Sequence, residues 1–113
     1  MNYNCRALVA SVPFFTHADP NFVSDIVAKL RHEVYLPGDY IVREGSIGSK
    51  MYFIQEGIVD IVTCNGEVAT SLSDGSYFGG QLKNRVNVIV TVPVNTDLRL
   101  VSLDNHSDMT QRF

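Results

Sequence analysis

The feature that most restricts the fold is the regular alternation of short apolar runs with turn signals. Pro-Gly-Asp at 37–39, Asn-Gly at 65–66 and Asp-Gly at 74–75 separate runs rich in valine, isoleucine and tyrosine. Proline and glycine supply the backbone angles of tight turns, and Asn-Gly is a strong signal for a two-residue hairpin. Many short strands punctuated in this way predict a β-barrel or a jelly roll.

The pattern predicts strands from residue 31 to residue 103. The run from 86 to 94 alternates valine with other residues, which is typical of a half-buried strand, and we expect it to end near Pro93. The remaining predicted strands span residues 34–36, 40–44, 51–55, 58–63, 68–72 and 98–103.

Two helices are predicted before the strands. Residues 3–11 carry Leu8 and Val9 at apolar positions, and Pro13 ends that segment. A second helix starts at Asp19 and Pro20, because aspartate caps helices and proline suits the first helical position. It has one apolar face at helical spacing, formed by Phe22, Ile26, Val27 and Leu30.

Length, charge and hydropathy narrow the class of protein. A chain of 113 residues allows one domain. The net charge is −3 and the nine basic residues are scattered, so we expect no nucleic-acid partner. No apolar run is long enough to span a bilayer, so we expect no direct membrane insertion. Cys5 and Cys64 are interpreted as free thiols in a reducing, intracellular compartment.

No pattern indicates an enzyme or a metal site. His17, His32 and His106 are isolated from one another, whereas a metal site in a β-roll needs clustered ligands. Ser76 lies in a turn and lacks the Gly-x-Ser-x-Gly context of a hydrolase nucleophile. Gly79-Gly80 is not followed by the Lys-Ser/Thr of a phosphate loop.

Three segments together resemble a known family. They are PGDYIVREG at 37–45, KMYFIQEG at 50–57 and DGSYFG at 74–79, and they look like the cyclic-nucleotide-binding domain. The upstream segments 8–15 and 18–23 are similar to the HCN-type ion-channel branch in particular. The match runs from about residue 3 to residue 79 and resumes at the last strand.

The resemblance implies a mainly β fold, an eight-stranded, jelly-roll-like β-roll with flanking helices. Its implied boundaries are 1–30 for N-terminal helices, 31–103 for the roll and 104–113 for the start of a truncated C-terminal helix. In the family this domain lies on the cytoplasmic side of a homotetrameric membrane channel and binds cAMP. The implied partner is the rest of the channel polypeptide, and we expect the isolated domain to be a monomer.

The family's phosphate-binding segment is altered in this sequence. In the family, Phe-Gly-Glu opens a short helix that cradles the cyclic phosphate, and a later arginine pairs with it. Here Gly80 stands at the glutamate position, the chain is one residue short, and the arginine position falls on Val88. The pocket positions that the resemblance implies are Val62, Thr70, Leu72, Phe78, Gly79, Gly80, Gln81, Arg85, Val88 and Ile89.

These departures lead to three functional hypotheses. The first is a regulatory domain of an HCN-like channel whose cyclic-nucleotide binding is weak or lost, so that no cofactor is expected. The second is a working cAMP-binding module in which Arg85 replaces the family's phosphate ligand. The third is an interaction domain whose partner occupies the vacated pocket.

Overall fold

The computed structural model describes residues 5–11, 19–45, 50–79, 86–91 and 97–104. The helices are α1 (Cys5–Ala10) and α2 (Pro20–Lys29). As predicted, the Asp19 carboxylate accepts a hydrogen bond from the backbone N–H of Asn21 at 2.8 Å, and Pro20 occupies the first turn of α2. This cap satisfies a donor that the helix itself cannot pair.

Within the described residues, eight strands form two four-stranded antiparallel sheets. One sheet has the order β1-β8-β3-β6 and the other β2-β7-β4-β5. This confirms the predicted mainly β fold with eight strands and flanking helices. The strands are β1 (Arg31–Tyr35), β2 (Tyr40–Val42), β3 (Lys50–Glu56), β4 (Val59–Thr63), β5 (Val68–Leu72), β6 (Tyr77–Phe78), β7 (Val86–Val90) and β8 (Leu98–Asp104).

The predicted turns join these strands. Between β1 and β2, Asp39 N–H donates to the Leu36 carbonyl at 3.0 Å, and the Asp39 side chain accepts from Leu36 N–H at 2.9 Å. The turn before β6 is held to the rest of the sheet, because the Asp74 carboxylate accepts from Gly57 N–H at 2.8 Å. Polar side chains that bond to nearby backbone in this way stabilise tight turns.

The first sheet has buried side chains on both faces, and the described residues form two hydrophobic clusters. Its outer face packs against the helix pair, and its inner face packs against the second sheet to fill the roll. The buried members of the outer cluster are Leu8, Val9, Val23, Ile26, Met51, Phe53, Val101 and Leu103. Those of the inner cluster are Tyr52, Ile54, Val59, Ile61, Phe78, Val88, Val90, Leu98 and Leu100.

Some predicted features fall on segments that the described ranges do not include. These are the break at Pro13, the strand end near Pro93 and all but the first residue of the C-terminal helix start predicted at 104–113, since Asp104 is the last residue of β8. The described part of β7 ends at Val90, with Thr91 following it outside the strand. No helix among the described residues is both long enough and apolar enough to cross a membrane.

Candidate functional site

The candidate site lies where β6 leaves the first sheet. Phe78 is 5% exposed and stacks on Tyr52 of β3, with ring centroids 4.9 Å apart. Tyr52 pairs directly with Phe78 across the two strands. Stacked aromatic pairs contribute packing energy beyond their buried area, so this pair fixes the point from which the chain continues into the predicted phosphate-binding segment.

Gly79 makes the exit from β6 possible. It is buried, has a φ of +130°, and a Cβ at this position would lie 2.9 Å from Met51 Cα and closer still to the Lys50 carbonyl oxygen. Only glycine tolerates both this backbone conformation and this approach. The next predicted site residues, Gly80, Gln81 and Arg85, lie outside the described residues.

Val88 lies in the wall of the roll. It is 0% exposed and belongs to the inner cluster, where it pairs across β4 and β7 with Ile61. Ile89 is half-buried and pairs with Asp60 on one side and Tyr40 on the other. Since successive residues of a strand face opposite ways, Val88 faces the interior and Ile89 faces away from it.

By the resemblance, Val62, Thr70 and Leu72 stand where the family has apolar residues against the purine base, and the structure does not bring these three to one face. Thr70 pairs with Ile61 and Leu72 pairs with Val59, so both share the face of those buried residues. Leu72 packs against the inner cluster, and Thr70 is exposed. Val62 pairs with Val68 beyond a register shift and faces the opposite way.

Ile61 is a buried neighbour of the predicted pocket positions that the sequence analysis does not name. It is 8% exposed, sits in the inner cluster and lies opposite both Thr70 and Val88. The resemblance assigns Val62 to the pocket, whereas β4 alternates regularly against β7, so that Val62 pairs with Asn87 on the face opposite to Ile61. The alternation of Val59, Asp60 and Ile61 was the available signal, since it places the charged residue outside and Ile61 inside.

A polar network borders the apolar interior along β1, β8 and β3. Glu33 accepts hydrogen bonds from the Tyr35 hydroxyl at 2.6 Å and from the Ser102 hydroxyl, and Lys50 Nζ lies 3.8 Å from Glu33 Oε2. Ser102 is 1% exposed, the one buried polar residue among the described part of the chain. Burial alone would raise the pKa of Glu33, but the Ser102 and Tyr35 hydrogen bonds, with Lys50 and Arg31 nearby, lower it overall.

The two tyrosines near Glu33 are affected in the opposite sense. Burial first, and then the hydrogen bond to the Glu33 carboxylate, raise the pKa of Tyr35. Burial and the charge of Glu33 raise the pKa of Tyr52 as well. Both phenols therefore stay neutral near neutral pH, while the Glu33 carboxylate stays charged. Its contacts with Ser102 and Lys50 link β1 to β8 and β3.

The described interior offers apolar contact and little to hold an anion. Ile61 and Val88 present hydrocarbon surface where they meet, and Val59 and Val90 extend that surface along the same pair of strands. A charged phosphate brought against this wall would lose its hydration without gaining a donor from these side chains, which is costly. Among the described residues, no group of three potential metal ligands is present.

Comparison with protein families identifies the class. The family model for "Cyclic nucleotide-binding domain" matches residues 32–108. The chain therefore belongs to the cyclic nucleotide-binding domain family, as its turn sequences indicated.

Curated relatives of this chain include HCN-type channels. The chain is 51% identical over 116 residues to the potassium/sodium hyperpolarization-activated cyclic nucleotide-gated channel 4 of Homo sapiens, and 50% identical to channel 2 of Mus musculus. These alignments cover 100% of this chain, but only 10% and 13% of the two channels. The chain thus spans about a tenth of the length of these relatives, and the resemblance to HCN-type domains is confirmed.

A solved structure supports the same fold. A regulatory subunit of a cAMP-independent protein kinase A from Trypanosoma brucei matches with a TM-score of 0.71 and 25% sequence identity. The match covers 86% of this chain and 36% of that one. The shared architecture is a β-roll with helices, and the neighbour is described as a regulatory subunit rather than a catalytic one.

Proposed function

We infer that this chain is the cytosolic regulatory domain of an HCN-like voltage-gated cation channel, with cyclic-nucleotide binding weak or lost. The observation that carries the proposal is Val88. The resemblance assigns the phosphate-pairing arginine to this position, and the structure has a fully buried valine there, packed in the interior wall.

The energy of the missing contacts supports weak binding. Losing one partner of a buried charge pair costs about 2–5 kcal/mol. In the family the glutamate also holds the ribose hydroxyl, a contact that Gly80 cannot make, and losing it costs about 1–3 kcal/mol more. Because about 1.4 kcal/mol corresponds to one decade of affinity, the combined loss is at least two decades.

The backbone part of the cradle is also weakened. Glycine is about 1 kcal/mol less favourable than alanine inside a helix, and the sequence has Gly79-Gly80 where the family's short helix begins. Gly79, which matches the glycine of the family's Phe-Gly-Glu, is buried at a positive φ. The start of the segment is therefore preserved while the residues that would hold the anion are changed.

The proposed place in a channel is supported by the relatives. Identity near 50% extends over the whole chain, and each relative is a much longer channel polypeptide. The proposed partner is accordingly the rest of that polypeptide, on the cytoplasmic side of the membrane and, by resemblance, in a homotetramer. The T. brucei neighbour, named as cAMP-independent, supports the idea that this fold can serve a regulatory subunit without cAMP control.

Restoring the missing side chains tests the proposal. The double variant Gly80→Glu with Val88→Arg should bind cAMP at least two decades more tightly than the original chain, as measured by calorimetry. The matched control is Gly80→Glu with Val88→Leu, which supplies no cation and should gain at most the ribose contact. A repaired variant that is folded by circular dichroism yet gains no affinity would contradict the proposal.

The alternative function is a working cAMP module with Arg85 as the substitute phosphate ligand. It predicts that Arg85→Ala abolishes binding in the otherwise unchanged chain, whereas the main proposal predicts no measurable change. Lys29→Ala is a suitable control, because this exposed lysine ends α2 on the helix side of the first sheet. A large loss of affinity for Arg85→Ala alone would favour the alternative.

A further inference from the structure

At the tip of the β4–β5 hairpin, the side-chain amide of Asn65 is followed directly by the backbone nitrogen of Gly66, and these two groups can react with each other. Cys64, Asn65 and Gly66 are all exposed there. Gly66 has a φ of +83°, and no atom lies within 4 Å of the place where its Cβ would be. The Gly66 N–H donates to the Thr63 carbonyl at 2.9 Å, and Asn65 Oδ1 accepts a long contact from Cys64 Sγ at 3.8 Å.

The chemistry of asparagine followed by glycine is an internal ring closure. The backbone nitrogen of the following residue can attack the side-chain amide carbon, and a glycine offers no side chain to block that approach. The Gly66 amide must first leave the Thr63 carbonyl. Exposed hairpin tips open with little free energy because few buried contacts hold them.

We propose that Asn65 is a site of spontaneous deamidation. The Gly66 nitrogen loses its proton and forms a bond to Asn65 Cγ, and the bond from Cγ to the amide nitrogen breaks, so that ammonia leaves and a succinimide ring remains. Water then adds to one of the two ring carbonyls. The product is either aspartate or isoaspartate, and no oxidant or further reactant is required.

The same chain contains a matched site that is protected. Asp74-Gly75 can close the same ring with loss of water, but the Asp74 carboxylate is held by Gly57 N–H at 2.8 Å. The Gly75 N–H donates to the Ile54 carbonyl at 2.9 Å, and both residues are half-buried. Asn65-Gly66 and Asp74-Gly75 can therefore undergo similar ring closure but differ in their surroundings. The first pair is exposed, whereas the second is half-buried and held by hydrogen bonds.

Other described asparagines lack the glycine neighbour. Asn87 is followed by Val88, and its side-chain oxygen accepts from Glu44 N–H at 2.7 Å. Asn21 is followed by Phe22 inside α2. A bulky next residue and a regular backbone both hinder ring closure, so conversion should be selective for Asn65.

Modification of Asn65 would affect the candidate site through the pairing of β5 with β4. Isoaspartate routes the main chain through the side chain, which lengthens a turn held by Gly66 N–H to Thr63 O and by Thr63 N–H to Glu67 O at 2.8 Å. β5 is an edge strand with β4 as its sheet neighbour. Loosening this turn should therefore disturb the register that sets Thr70 opposite Ile61.

Timed incubation of the unmodified chain tests the proposal. Trypsin cleaves after Lys50 and Lys83, and the resulting peptide 51–83 contains a single asparagine, Asn65. At neutral to mildly alkaline pH this peptide should gain the mass that replaces an amide NH2 by a hydroxyl and should separate into two chromatographic forms. The rate should rise with pH because the attacking nitrogen must lose a proton.

The variant Asn65→Ser is the matched control, and its 51–83 peptide should gain no such mass even though two glutamines remain in it. A folded chain whose 51–83 peptide keeps its mass, while a synthetic peptide of the hairpin sequence converts, would overturn the proposal. Equal conversion at Asn21 or Asn87 would also overturn it, because the selectivity would then not come from the turn.

Discussion

At the scale of single residues, the effect of a substitution on the interior of the roll depends more on the direction that the side chain faces than on its type. Val88 and Ile89 are neighbours of similar size on β7, yet Val88 is completely buried and Ile89 is not. The change from arginine to valine implied by the resemblance therefore alters the interior of the roll. The same change one residue later would have altered an outer face.

A charge introduced at Val88 should be costly when no ligand pairs with it. Val88→Arg alone should lower the free energy of unfolding by about 3–5 kcal/mol, as expected for an uncompensated buried charge. Ile89→Arg is the matched control, and its cost should be near 1 kcal/mol. Urea denaturation followed by circular dichroism gives both values; equal costs would mean that Val88 does not face the interior.

Gly79 and Gly66 form a second matched pair. Gly79→Ala adds a Cβ that would collide with the Lys50 backbone, whereas Gly66→Ala adds one in open space at a positive φ. We expect about 1–2 kcal/mol for Gly66→Ala, the cost of a left-handed backbone, and clearly more for Gly79→Ala. Thermal unfolding of both variants measures the difference, and similar melting temperatures would contradict the close contact.

At the scale of elements, most of the fold could be predicted, because the turn residues have local causes. The Asp19 cap and the Pro37-Gly38-Asp39 turn depend on side chains next to the backbone they hold. β6 was not predicted by pattern because a two-residue strand, Tyr77–Phe78, is too short to show alternation. It forms through long-range pairing with β3.

The candidate site was harder to predict than the fold for a related reason. A pocket position depends on strand register, and β5 has one extra residue, Ala69, opposite the step from Ile61 to Val62. Counting along the sequence cannot detect such an extra residue. Phe78 ends β6 and Gly79 follows it, and their role at the start of the phosphate-binding segment stays a prediction.

The polar network across β1, β8 and β3 should make stability depend on pH. The pKa of Glu33 is lowered from about 4.5 in the folded chain, so the unfolded chain binds its proton first as the pH falls. The stabilisation is therefore present above about pH 4.5 and lost as the pH drops through the folded pKa. Denaturation midpoints of Glu33→Gln should vary less with acid than those of the original chain.

Glu67→Gln is the control for this prediction, because Glu67 is exposed in the β4–β5 connection. Its midpoints should follow those of the original chain across the whole range. If Glu33→Gln retains the full acid dependence, the hydrogen bonds from Ser102 and Tyr35 do not stabilise the charged carboxylate.

At the scale of the whole molecule, one sheet connects the helices with the roll. Phe53 and Val101 pack towards the helix pair, while Tyr52 and Leu100 pack into the roll from the same two strands. This sheet is therefore a closely packed layer between the helix pair and the interior of the roll. A domain with an altered anion site retains this layer, which is why we propose a mechanical, regulatory place for it in a longer channel.

The most direct test of the account is titration of cAMP into the unmodified chain, following the amide signals of Gly79 and Val88 by nuclear magnetic resonance. We predict shifts that fail to saturate at micromolar cAMP, because a micromolar site that lost these contacts would weaken by at least two decades. Saturable micromolar binding centred on these two residues would contradict the account.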